Sequence, residues 1–469
     1  MNVLKLAWVV LLGCGCNPNA PKSLSLKISG SPVVQKIPDD APVPGAADRV
    51  KVTRPGSDWP RFLGPAGNCT SPETGILTTW PKDGLKKLWE CSLGVGYAPA
   101  VVADGRLVHF DRVGDKARAT CRNAETGEAI WRFEYETGYV DMYGYDAGPR
   151  CSPIIDRGRV FLHGVEGMLY ALNLSDGKEI WKVDTKAVYH FHQNFFGVGS
   201  TPVVEGDKLI VAVGGSPKTP DRVAILSQAK GNGSCIVAFD VATGKEIYKF
   251  GDDLASFSSP TVATIRGKRV GLYFSRGGLV GFDPAAGKQL FRFPWRARIL
   301  ESAIAANPVV AGNDILISES YERGSALLAF DGTGVKPVWT DTDNDRDEKA
   351  LMAHFCTPVY HDGFVYGCSS RHSPDADLRC VNLKTGKIAW RERRTGWCTL
   401  LKVDGHLLVL GEQGELRLLN LNPTKYDEIA RWESPDLSPP SWAPPVLSHG
   451  LLYLRGRGSL VCYELIPKK

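Results

Sequence analysis

The sequence predicts an all-β fold, an eight-bladed β-propeller whose last blade is completed by a strand from the early part of the chain. Three observations predict it. Apolar residues come in short runs broken by Gly, Asp and Asn, with no long amphipathic helical pattern. Glycine (50) and proline (31) are abundant among 469 residues, as a chain of many tight turns requires. Above all, one phrase recurs at the spacing of propeller blades.

The phrase is a small residue, an apolar one, Asp or Asn, two variable residues, Thr or Asp, Gly, Lys or Glu, and an aromatic four residues after the Gly. Clean copies are Cys121–Trp131, Ala171–Trp181, Ala238–Tyr248, Gly281–Phe291 and Cys380–Trp390. Ala329–Trp339 and Leu418–Trp432 are looser. Physically this is a strand, a tight turn closed by Asp/Asn and Gly, and a return strand ending in an aromatic. A second phrase precedes each copy: small residue, x, Pro, two β-branched residues, a polar turn and another apolar run. Cys151–Gly164, Ser200–Gly214 and Cys356–Gly367 show it well. Two hairpins make a four-stranded unit that buries its faces only by stacking on neighbours.

The repeat aromatics are Trp89, Trp131, Trp181, Tyr248, Phe291, Trp339, Trp390 and Trp432. Eight aromatics predict eight blades, or seven if the Trp432 repeat is irregular. The last repeat, Pro445 to Leu465, has only three strands, so residues 85–93 around Trp89 are expected to supply the fourth and close the ring.

Ahead of the propeller, residues 1–16 read as a secretory signal. Lys5 precedes the apolar run Leu6–Leu12, which is too short to span a bilayer. The run ends in Leu11-Leu12-Gly13-Cys14, which resembles a bacterial lipobox with Cys14 as the lipidated residue and Cys16 as the fallback. Residues 17–55 hold seven prolines and no sustained periodicity, and are expected to form a flexible tether, with Leu24–Ile28 a possible short strand. The propeller is then residues 56–469. The expected location is the cell envelope or periplasm, with the lipid anchor in the outer membrane rather than the inner. The net charge of +5 comes from scattered Lys and Arg, which argues against nucleic acid as a partner. A monomer is expected.

Ten cysteines follow the signal. Cys121, Cys380 and Cys462 share one repeat position with Ala171, Ala238, Gly281 and Ala329. Cys151, Cys356 and Cys398 share another with Ser200, Ser258, Ala306 and Ala443. These six are expected to be free thiols filling small core positions. Among Cys69, Cys91, Cys235 and Cys368, one disulfide is possible. No metal-spaced Cys pair is present, and no metal site is predicted.

Function is expected on the face shared by the loops leading into each inner strand and the loops between the two middle strands. Arg150, Arg276, Arg296, Arg298 and Arg371 come from these loops and suit a carboxylate or phosphate. His190, His192, Asn194, Glu301, Glu319, His354 and His372 could act as acid/base groups or ligands. Trp442 joins them from its own loop. His190-x-His192, if on a strand, would put both rings on one side as half a metal site. A nucleophile elbow, a P-loop and a dinucleotide fingerprint are all missing from the sequence.

The Gly-Lys-x-x-Trp repeat resembles that of quinoprotein-like (PQQ-like) propellers over about Asp58 to Ile466. The phrases Asp58–Asn68, FFGVGSTPVV and FPWRARILES are similar to a bacterial envelope subgroup of that family. More distantly, the chain resembles the lipoprotein propeller of the outer-membrane β-barrel assembly machinery, a non-enzymatic scaffold. The resemblance implies two functions. One is a non-catalytic binding or scaffold module for a protein partner. The other is a PQQ-dependent oxidoreductase, for which PQQ and calcium are the implied cofactors and Asp141, Glu301 and Asn307 the conceivable calcium ligands. A third reading, from the loop residues, is a binding protein for a small anionic or sugar ligand. The missing vicinal disulfide and c-type haem motif weigh against the enzyme. The repeat speaks to architecture, not to quinone chemistry.

Overall fold

The computed structural model describes residues 35–37, 50–192, 195–218, 229–342 and 345–468. The expectations for residues 1–16, including Cys14, and for Leu24–Ile28 lie outside them. Eight sheets form an eight-bladed propeller. Blades 1 to 8 start at the inner strands Val101–Ala103, Ile154–Asp156, Val203–Glu205, Thr261–Ile265, Val309–Ala311, Val359–His361, Cys398–Val403 and Val446–Ser448. Each of blades 1 to 7 runs from inner to outer strand in chain order, its neighbours antiparallel. Among the described residues no helix is long and apolar enough to cross a membrane.

The predicted closure holds. Strand Lys86–Ser92 pairs antiparallel with Ser459–Glu464 and becomes the fourth strand of blade 8. Residues 35–37, assigned to the tether from sequence, add a fifth strand parallel to Trp89–Cys91. Val50–Pro55 also differ from a free tether. The Arg54 guanidinium is buried and donates to the His449 and Ile466 carbonyls and to Glu464. Three acceptors compensate its burial, so the chain is held against blade 8 from this point.

The repeat phrase has a physical explanation between blades. Each aromatic reaches the turn of the next blade. Trp131 Nε1–H donates to the Leu174 carbonyl at 2.8 Å, Trp181 to Val241 at 3.1 Å and Trp390 to Asn422 at 2.8 Å. The turn glycine lies on the preceding ring: a Cβ on Gly177 would come within 2.6 Å of Trp131. The small residue lies across the strand pair from its own aromatic. Cys121 faces Trp131, Ala171 faces Trp181, and Cys462 faces Trp89. At Gly281 a Cβ would meet the Phe291 ring at 2.1 Å. Blade 5 departs from the expected register: Trp339 faces Leu327, not Ala329, which pairs with Lys336. The looser phrase there reflects a different turn. All ten described cysteines are buried and none is disulfide-bonded, so the possible bridge among Cys69, Cys91, Cys235 and Cys368 does not form in the structure.

The residue before proline in the second phrase is polar for a reason the sequence reading did not reach. The Ser152 amide donates to Thr201 Oγ1 at 3.0 Å, Thr201 to Ser259 Oγ at 2.9 Å, Ser259 to Asn307 Oδ1 at 2.8 Å, and Asn307 to Thr357 Oγ1 at 3.0 Å. A belt of hydrogen bonds thus links blades 2 through 6 at the head of their inner strands.

The phrase Asp58–Asn68 lies within the ring. Trp59 exchanges two 2.8 Å backbone hydrogen bonds with Val102 of blade 1, and the Ile155 amide of blade 2 donates to the Pro60 carbonyl. Further on, Lys402 of blade 7 donates to Cys69 and receives Ser71. The segment therefore crosses from one side of the ring to the other and uses inner-strand edges that would otherwise be unpaired. Its Phe62 and Leu63, with Cys69, reach the axial cavity.

Burial of His163 makes a pH prediction. Burial pushes this imidazole down to about 4, against about 6.5 in an unfolded chain. As pH falls, the unfolded state takes up the proton first, so stability present above pH 6.5 is lost between 6.5 and 4. His109, held well below its usual value by burial and by Arg122, acts in the same direction. His163 alone is expected to account for about 2 kcal/mol of the stability that urea unfolding shows to be lost between pH 7 and pH 5. The His163→Leu protein should show a shallower slope.

Candidate functional site

The loops leading into the inner strands each end close to the axis, and seven of the eight junctions place one aromatic ring there. Tyr97, Tyr145, Phe196 and Phe257 come from the loops preceding blades 1 to 4. Phe355, Trp397 and Trp442 come from those preceding blades 6 to 8, and Tyr321 adds a ring from the middle turn of blade 5. Together they line a cup of about 590 Å³, joined by Phe62, Leu63 and Cys69 of the crossing segment.

The rings support one another in two arcs. In one, Tyr145 and Phe257 flank Phe196 at 6.0 and 5.5 Å between centroids. In the other, Trp442 lies 4.9 Å from Tyr97 and 5.9 Å from both Phe355 and Trp397. His354 stacks on Trp397 at 5.0 Å and 25°, and its Nδ1 lies 2.9 Å from Ser320 Oγ. Trp442 Nε1–H donates to Glu412, which fixes the indole edge.

Of the residues singled out from sequence, Arg150, His354, Arg371, His372 and Trp442 line this cup. Arg150 is anchored by Asp141 at 2.9 Å and by the Gly148 and Asp146 carbonyls. Arg371 lies flat over the Tyr321 ring at 4.3 Å. Blades 2 and 6, which carry these two arginines, face each other across an eight-membered ring. Burial, followed by the charges of Arg371 and His372, lowers His354 to about 4, so it is neutral at pH 7. Among the described residues the cup lining contains no carboxylate.

The other expected residues lie elsewhere. Arg276 is buried, donates to the Leu300 carbonyl at 2.6 Å, and is lowered to about 10 by desolvation and by Arg296. Arg296 is half-buried beside the same carbonyl. Arg298 is exposed in a neighbouring groove, and Glu301 is exposed. Glu319 is buried and accepts Ser302 Oγ and the amides of Tyr321, Glu322 and Arg323, so it folds the loop that carries Tyr321. His190 is not on a strand. It ends the short helix Thr185–Tyr189 in a left-handed conformation and is exposed. His192 turns instead to a small cavity beside His163, so the two rings do not form half a metal site. Asn194 lies outside the described residues.

The conceivable calcium ligands do not converge. Asp141 is committed to Arg150 and to the Tyr143 and Tyr145 amides, Asn307 belongs to the inter-blade belt, and Glu301 faces solvent. Among the described residues no group of three or more potential ligands could hold a metal ion. Calcium requires six to eight oxygen ligands, usually with carboxylates. Among the described residues the cup offers neither a carboxylate nor a side-chain amide, and these residues do not fit a calcium-bound quinone.

Sequence reasoning missed the aromatic ring of the mouth except for Trp442. A signal existed: Tyr97, Phe257, Phe355 and Trp442 each stand two or three residues before the proline of the second phrase.

Comparison with known proteins matches this architecture. Residues 78–232 and 212–392 match the family model described as outer membrane protein assembly factor BamB. BamB from Moraxella catarrhalis superposes with a TM-score of 0.54 at 16% identity, covering 81% of this chain and 97% of that one. Quinohemoprotein alcohol dehydrogenase from Comamonas testosteroni superposes with a TM-score of 0.61 at 14% identity, covering 88% and 81%. In sequence, quinohemoprotein alcohol dehydrogenase ADH-IIG from Pseudomonas putida is 24% identical over 159 residues. That match spans 33% of this chain and only 19% of the relative. At these identities the structural likeness concerns the fold.

Proposed function

Because the chain belongs to the family described as outer membrane protein assembly factor BamB, we propose that it is an exported, non-catalytic binding module of the cell envelope, tethered through Cys14, that holds a protein partner at the channel mouth. The observation that carries this reading is the aromatic cup. Interface hot spots are enriched in Trp, Tyr and Arg, and the cup presents these types on supporting rings and loops. The imidazole stacked on Trp397 is neutral, and among the described residues the lining has no carboxylate beside it to act as a general base or to bind calcium.

The test is a photoreactive residue in place of Trp397 in the full-length protein. In intact envelopes it should give one discrete protein adduct, which Arg371→Glu abolishes. Dye reduction dependent on added PQQ and calcium would favour the oxidoreductase instead. Adducts with small molecules alone would favour the small-ligand binder. Separately, Cys14→Ala should move the protein from the membrane to the soluble fraction.

A further inference from the structure

A second depression adjoins the cup. It is a groove of about 800 Å³ between blades 5 and 6, and it shares Tyr321, Arg371 and His372 with the cup. Four guanidiniums line it: Arg346, which lies 3.9 Å from Asp375, and the three of Arg298, Arg323 and Arg371. Two lie flat on aromatic rings, Arg323 over Trp295 and Arg371 over Tyr321, each at 4.3 Å. Stacking fixes the plane of a guanidinium while leaving its N–H edge free to donate. None of the three is within ion-pairing distance of a carboxylate of the described residues.

The acids in the groove are already committed. Asp341 accepts the Ser325 and Ala350 amides, and Glu322 accepts the Arg298 amide. Arg346, also in the lining, donates to Ser370 and lies 3.9 Å from Asp375. The groove therefore presents oriented cationic donors that the fold itself does not consume, and it opens onto a hydrophobic cup.

We propose that groove and cup together bind one extended acidic peptide segment of a partner protein, its carboxylates on Arg298, Arg323 and Arg371 and an aromatic side chain of the same segment in the cup. This rests on the reading of the cup as a partner site and adds the chemistry of the partner. Both halves are needed to choose a peptide. A polyphosphate satisfies the arginines but offers nothing apolar for the aromatic cup, and a sulfated glycan brings only the C–H faces of its sugar rings. A neutral aromatic ligand leaves three guanidiniums unused, two of them oriented by stacking. A peptide carries both groups on one backbone, and bidentate Arg–carboxylate pairing selects the acidic one.

The probes are fluorescein-labelled twelve-residue peptides with four Glu flanking a single Phe, read by anisotropy on the full chain. Controls replace Glu by Gln, Glu by Lys, or Phe by Ala; polyphosphate and a sulfated oligosaccharide are competitors. The acidic Phe peptide should bind roughly tenfold more tightly than its Gln version at low salt, with the gap closing as salt rises. The variant R323E/R371E should reverse the preference toward the Lys peptide. These side chains stand at the surface of the groove, and an unchanged melting temperature verifies the fold. Trp397→Ala should erase the advantage of Phe over Ala.

Equal binding of the Glu and Gln peptides overturns the inference. If both still depend on Phe and Trp397, the cup reading survives that failure. Equally tight competition by the sulfated oligosaccharide or polyphosphate also overturns it, in favour of a general polyanion site. Failure of every peptide to bind overturns it as well, while the Trp397 cross-link tests the partner reading independently.

Discussion

Trp89→Ala is expected to destabilise the protein by about 3–5 kcal/mol, the usual cost of truncating a large buried aromatic. Trp89 is 1% exposed, and its environment joins three distant parts of the chain. Its strand pairs with Ser459–Glu464, its ring faces Cys462 and lies 5.8 Å from Tyr453, and its Nε1–H donates to the Ala124 carbonyl of blade 1. Loss of the side chain opens a cavity where the ring of blades is sealed and removes one of the two donors to the Ala124 carbonyl, the other being the Tyr453 hydroxyl. Trp339 provides the comparison. It makes the same kind of bond, to Leu383 at 2.8 Å, but is only half-buried and joins neighbouring blades. Its Ala variant should lose about 1–2 kcal/mol less than the Trp89 variant. Urea unfolding of both proteins measures the difference. Equal losses would show that the closing strand has no special standing.

This contrast also explains why the fold was legible in the sequence. The residues that define a blade, such as Cys121, Gly177 and Trp131, meet one another at fixed offsets, within one hairpin or one blade apart. Local constraints repeated eight times survive as a pattern. Even the closure could be inferred, because the last repeat lacked one strand and Trp89 preceded the first full blade.

The binding site was only partly legible, because its residues meet at no fixed offset. Tyr145 and Phe196 touch across a blade junction, while Arg371 reaches the cup from a middle turn and Trp442 from a lead-in loop. Choosing polar residues by type collected Glu319 and Arg276, whose charges hold loops together, along with Arg150 and Arg371. It passed over Tyr97, Phe257 and Phe355, which looked like ordinary apolar residues. The crossing segment was missed for a related reason. Nothing in Asp58–Asn68 states that its partners are Val102, Ile155 and Lys402, and only the geometry of the ring brings these together.

A buried ion pair in blade 1 should show a sharp asymmetry between single and double substitution. Strands Arg106–Val113 and Lys116–Asn123 set His109 opposite Thr120 and Asp111 opposite Arg118 on one face. Asp111 is fully buried, Arg118 is 3% exposed, and two hydrogen bonds of 2.9 and 2.6 Å join them. Asp111 also accepts the Gly94 amide at 2.6 Å. Two further guanidiniums are buried nearby: Arg122 donates to His109, and Arg455 of blade 8 donates to the Phe110 carbonyl. Asp111→Ala removes the carboxylate that pairs with Arg118 in this layer, and should cost about 3–5 kcal/mol. Removing both charges, in Asp111→Leu with Arg118→Met, eliminates the buried cation that Asp111 neutralises and should recover at least about half of that loss. Urea unfolding of wild type, both single variants and the double variant completes the cycle. A double variant as unstable as Asp111→Ala would show that the damage lies in packing and the lost Gly94 bond, not in the stranded charge.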